Sequence, residues 1–203
     1  MFLLLAAVPF AAADSFMTSV EFVYPYTPMP EVKSTVPFAP EMALLNNSKS
    51  ALEHAALLGR VNGYDLNQRL VAAVRTNTGR NKPPLGELDL GWVLMWNATY
   101  GNEKGGREAE THLAAALAAA PEDPNVHLVA ALASAQYEAF VLQRPWDTVT
   151  DRKTAVIALL EKAAELDHAH PAEGFDASFK NAVDYMLLYE GYAALEKFKG
   201  RQE

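Results

Sequence analysis

Apolar residues recur along most of this chain at the three- and four-residue spacing of amphipathic helices, and the pattern sets in near residue 41. Leu52, Ala55, Ala56 and Leu57 follow Ser50-x-x-Glu53, the spacing of a capping box at a helix start. Asn62-Gly63 predicts the end of that helix, and Leu66, Leu70, Ala73 and Val74 carry the next. Residues 76–86, with Asn77, Gly79, Asn81 and Pro83-Pro84, read as a loop. Five further helices are predicted over 88–102, 105–120, 123–143, 151–167 and 176–199. The third of these opens on Asp123-Pro124, an N-cap acceptor followed by proline at the first helical position, where the missing donor costs nothing. Ala, Leu, Glu and Lys fill the helix interiors, so local propensity agrees with the periodicity.

Residues 1–40 follow a different pattern. Six of the twelve prolines (Pro9, Pro25, Pro28, Pro30, Pro37 and Pro40) fall there, each removing a backbone donor and biasing its predecessor to extended geometry. Val20, Phe22, Tyr24 and Tyr26 alternate with Glu21, Val23 and Pro25, the period of a strand. From Asp14 to Pro40 the only charges are Asp14, Glu21, Glu31 and Lys33, too few for an ordinary solvated tail. The expectation is an extended, apolar, aromatic arm that lies across its own domain or docks on another molecule, most simply a sister copy. At its start, Met1 to Ala13 is an apolar run ending in Ala11-x-Ala13. This looks like the hydrophobic region and cleavage site of a secretory signal, lacking only the basic residue that ordinarily precedes it. Export to a periplasmic or extracellular location is expected, with membrane contact only if residues 1–13 stay in place as an anchor.

Composition narrows the function classes. Half of the 203 residues are apolar and 21% are charged, enough for one real core, read as a single helical repeat domain over 41–203. Seventeen basic against twenty-five acidic residues leave a net charge of −8, which disfavours nucleic acid and anionic lipid as partners. There are no cysteines, which excludes disulfides, thiolate metal sites and cysteine nucleophiles.

Within the helical body a period of about 34 residues emerges. From Leu90 to Asp123, Trp96 and Tyr100 sit late in one helix, Gly105-Gly106 marks the turn, Ala109, Leu113 and Ala116 line the second helix, and Pro121 closes the unit. These positions resemble the tetratricopeptide repeat, with Asn97 where the family favours glycine and Val93 where it favours tryptophan. A second, degenerate unit begins at Pro124 with Ala130-Ala131. Val156, Leu160 and Ala163 line its second helix, His168 replaces the closing proline, and residues 143–152 lengthen the turn between the helices. The resemblance covers roughly residues 88–170. It implies an all-α fold: a short right-handed stack of helical hairpins, with an extended N-terminal arm and a capping helix at 176–199.

A hairpin stack of this kind offers a concave surface made by the first helix of each pair. The resemblance places Gly91, Leu94, Ala98, Gly101 and Asn102 on it, then Asn125, Leu128, Leu132, Ala135 and Gln136. None is charged, so the groove is expected to take an apolar extended segment, with Asn102, Asn125 and Gln136 offered to its backbone, and not a carboxylate terminus. The arm, through Val20, Phe22, Tyr24 and Tyr26, is the natural occupant. Docked on the next subunit it would build a ring or a filament. Burial of ~1,000 Å² of apolar surface gives ~25 kcal/mol before ordering costs. Arg144-Pro145-Trp146-Asp147 adds an interaction hot spot at Trp146.

Catalytic constellations are weaker. Glu165-x-x-His168 with His170, and Glu108, Glu110 and His112, are the best metal-ligand candidates. A di-iron bundle needs two Glu-x-x-His motifs, and a zinc protease helix needs His-Glu-x-x-His; neither set is complete. No cofactor, metal or enzymatic activity is expected. Two partner classes stand: self-association through the arm, and a heterologous protein or small apolar ligand in the groove. The second is similar to the role of tetratricopeptide subunits that accompany some TRAP-type solute transporters.

Overall fold

The computed structural model describes residues 39–60, 67–78, 82–99, 103–140, 149–189 and 193–199. Every regular element among them is a helix. In chain order these are α1 (Ala39–Asn47), α2 (Ala51–Arg60), α3 (Asn67–Thr78), α4 (Leu85–Thr99), α5 (Glu103–Ala119), α6 (Pro124–Phe140), α7 (Val149–Ala169) and α8 (Phe175–Tyr189), followed by a 3-10 helix, Ala193–Phe198. No described helix is long and apolar enough to cross a membrane.

Local chemistry sets the helix ends. The Asp123 carboxylate accepts from the backbone N–H groups of Asn125 at 2.9 Å and Val126 at 3.3 Å, as its position before Pro124 predicts. At α2 the expected capping box is rearranged. Ser50 Oγ accepts the Glu53 N–H at 3.4 Å, but the Glu53 carboxylate takes a hydrogen bond from the Ser48 hydroxyl, whose oxygen also accepts the Ser50 N–H at 3.2 Å. Ser48 therefore stands between the two halves of the box. Between α7 and α8 the buried Asp167 carboxylate accepts the Ala172 N–H at 2.9 Å, and Gly174 adopts a φ of 74°, which a side chain would strain.

Two helices form the centre. Every residue of α4 from Leu88 to Ala98 is buried, and so is every residue of α6 from Val126 to Ala133. Helices buried around their whole circumference must be covered on all sides. α5 packs along α4, and α7 along α6, giving two hairpins whose first helices lie side by side. Ala109, Leu113 and Ala116 form the buried stripe of α5, and Val156, Leu160 and Ala163 that of α7, each at the i, i+4, i+7 spacing read from the sequence. α3 covers a further side of α4, and α2 lies against both α4 and α6.

Three expectations change in detail. Helix α1 begins at Ala39, so Pro40 is its second residue, in the first turn where proline is tolerated; the arm's last two residues belong to the body. The loop expected at 76–86 is entered by α3 as far as Thr78 and left at Leu85. The single closing helix expected at 176–199 is two elements: α8 ends at Tyr189, and a 3-10 helix follows. Three residues per turn bring Leu195 and Phe198 onto one side of that 3-10 helix. Leu195 is buried, and Phe198 meets Phe179 of α8 edge-on at 5.3 Å.

Candidate functional site

The sequence places a groove on the first helices α4 and α6, and the structure buries its apolar residues. Leu94, Ala98, Leu128 and Leu132 are 2%, 1%, 0% and 1% exposed. Gly91 is turned to α5 instead of the face: a Cβ there would lie 2.7 Å from Leu113 Cγ. Asn125 is half-buried; its N–H is committed to Asp123, and its side-chain oxygen is buried with no hydrogen-bond partner among the described residues. Gln136 lies on α6. Val20, Phe22, Tyr24, Tyr26, Asn102 and Trp146 lie outside the described residues.

α2 is the element that covers both first helices. Its sequence suits that position, because Leu52, Ala55, Leu57 and Leu58 are all buried and present an apolar side to the core. One polar contact is embedded in that side. His54 of α2 sets its Nδ1 2.8 and 3.0 Å from the two carboxylate oxygens of Asp89 on α4. The ring's other nitrogen, Nε2, is 3.4 Å from the Ser48 carbonyl oxygen. Both side chains are sealed, at 1% and 3% exposure.

The geometry favours the doubly protonated ring. Both ring nitrogens face acceptors, and an imidazole donates from both only as the imidazolium. Burial by itself would pull the His54 pKa down; the hydrogen bond and charge of Asp89, the Ser48 carbonyl and the Glu53 carboxylate outweigh it and hold the ring above its ordinary value of 6.5. With the ring doubly protonated, this contact is a buried ion pair between α2 and α4. Removing one partner of such a pair strands a charge in a low-dielectric interior, which costs far more than the pair contributes over an apolar substitute.

A second polar chain ties α3, α4 and α5 together nearer the surface. Glu87 of α4 meets His112 Nδ1 of α5 at 2.6 Å, His112 Nε2 lies 3.7 Å from Glu108, and Glu108 meets Arg75 of α3 at 2.5 Å. The Arg75 hydrogen bond lowers the Glu108 pKa most, against burial, with the charges of Arg75 and His112 adding to it. Arg75 is raised in turn, chiefly by that same hydrogen bond. Further along α5, Glu110 pairs with the buried Arg152 of α7 at 2.6 Å, and the guanidinium also reaches Met95 Sδ at 3.9 Å. Glu108, Glu110 and His112, the metal-ligand candidates of the sequence, are therefore engaged by Arg75, Arg152 and Glu87. His168 and His170 are exposed at the end of α7. Among the described residues no group of three His, Asp or Glu side chains is arranged to hold a metal ion.

Sequence reasoning missed His54 and Asp89 as a pair. The signal was present: Asp89 is a carboxylate in the apolar stretch from Leu88 to Met95, and a buried acid requires a partner. What the sequence lacks is the partner's address, 35 residues away on another helix. Compared with protein-family models, with curated proteins and with solved structures, the chain matches none.

Proposed function

We propose that the chain is a non-enzymatic, exported protein-interaction subunit, a tetratricopeptide-like stack that self-assembles by docking its N-terminal arm on a neighbouring copy. The observation that carries this reading is the seating of α2 across α4 and α6. Where α2 lies, the two first helices accept an apolar segment, and that segment belongs to the same N-terminal part of the chain as the arm. The arm runs directly into α1, which packs against α2 and α3. A neighbour's arm reaching the same face requires α2 to move aside. Such a contact pairs unlike surfaces, so it propagates into a ring or a filament. The non-enzymatic part draws on the state of the polar groups: His54 and Asp89 are sealed from solvent, and His112 is occupied by two carboxylates.

Size-exclusion chromatography with light scattering tests the reading. Full-length protein is expected to run as a large assembly, and protein lacking residues 1–38 as a monomer. Full-length protein carrying Phe22→Asp and Tyr24→Asp is expected to follow the truncated form. Equal masses for all three would refute arm-driven assembly.

A further inference from the structure

We propose that His54 and Asp89 form a proton-operated latch that holds α2 over α4 and α6, closed when the His54 ring carries its second proton and released when it loses it. The geometry makes the proton decisive. With it, the ring donates to Asp89 at 2.8 Å and to the Ser48 carbonyl at 3.4 Å, and one positive charge faces the buried carboxylate. Without it, one nitrogen becomes an acceptor facing an oxygen acceptor, and Asp89, 3% exposed, loses the imidazolium charge beside it. The penalty falls on the contact between α2 and α4, since that is what the pair spans.

The groups around the ring favour its charged form. Asp89 comes from α4 and Glu53 from α2 itself, and both raise the affinity of the ring for its second proton. Glu87, the other acid of α4, is engaged by His112. Among the described side chains, α6 adds only His127 as a titratable group, with its Nδ1 3.0 Å from the Asp123 carbonyl, and α1 adds none. Ser48 couples the latch to the entry of α2, because its carbonyl receives the His54 ring while its hydroxyl engages Glu53 and the Ser50 N–H. Release would thus loosen the helix start together with the ion pair and uncover the sides of α4 and α6 on which α2 lies. Only that consequence for docking rests on the function proposed above; the latch itself stands on the His54 contacts.

Hydrogen exchange read by mass spectrometry on the full-length protein tests it, with rates corrected for intrinsic exchange at each pH. Between pH 6 and pH 9 the protection of amides in Ala51–Arg60 is expected to fall relative to α7, by up to the ratio of the His54 proton affinities in the closed and open states. His54→Gln, which keeps a donor but carries no charge, is expected to show the low protection at both pH values. Protection of α2 that stays constant, that falls in step with α7, or that persists in His54→Gln would overturn the latch. Where His54→Gln fails to fold, NMR titration of the His54 ring in the unaltered chain decides: a midpoint above 6.5 supports the latch, and one at or below 6.5 overturns it. Assembly is scored separately by mass, so failure of the latch and failure of arm docking are distinct results.

Discussion

Single residues decide how closely the helices approach. Gly91 is the clearest case, because its missing Cβ is what lets Leu113 of α5 lie on α4: a methyl there would stand 2.7 Å from Leu113 Cγ and 3.3 Å from the Leu113 backbone nitrogen. Gly91→Ala gains ~0.8–1 kcal/mol in helix propensity. Overpacking costs ~1–3 kcal/mol, so the net expectation is a loss. Urea denaturation of the variant should show a lowered midpoint, and Gly91→Ala with Leu113→Ala should recover part of the overpacking component. The resemblance put Gly91 on the groove surface, yet the side of α4 it occupies belongs to α5. A loose repeat pattern names which positions are small; it does not say which neighbour the small residue admits.

At the scale of elements, most of the helix plan was legible. The Asp123-Pro124 start of α6 is built as the sequence implies, and Asp123→Ala is expected to destabilise the protein by ~1 kcal/mol, read from a thermal or urea unfolding curve. A loss near zero would mean that packing, and not the cap, fixes this end. The buried stripes of α5 and α7 follow from periodicity because each helix keeps one side in water. The centre was harder to read. α4 and α6 are buried on every side, whereas the tetratricopeptide pattern leaves one face open. The end of the chain also diverged: Leu195 and Phe198 fit either helix type by spacing, and the contact with Phe179 belongs to the 3-10 form.

For the whole molecule, two titrations bear on stability with opposite signs. His54 has a raised pKa in the folded state, so its contribution is fully present below 6.5 and is lost as pH rises through the folded value. Glu108 has a lowered pKa, so its contribution is present above 4.5 and is lost as pH falls through the folded value. The Glu108–Arg75 pair is about a third to a half exposed and is screened, worth under ~1 kcal/mol. At the sealed His54, by contrast, every tenfold gain in proton affinity on folding corresponds to ~1.4 kcal/mol. Thermal unfolding across pH 5 to 9 should therefore show a decline toward alkaline pH that is absent in Asp89→Asn. The same decline in Asp89→Asn would assign the effect to other groups, such as the accumulating charge of a chain already at −8.

Read alone, the sequence determined that the body is helical, where most helices start and stop, and which side of α5 and α7 is buried, because those properties depend on neighbours within a turn or two. It also marked an apolar face on α4 and α6. Only the tertiary structure decided that this face is buried, and what Asp89 meets on another side of α4. Burial has no direction along the chain: an apolar surface accepts any partner of suitable shape, and a buried carboxylate is satisfied by a cation from any helix that reaches it.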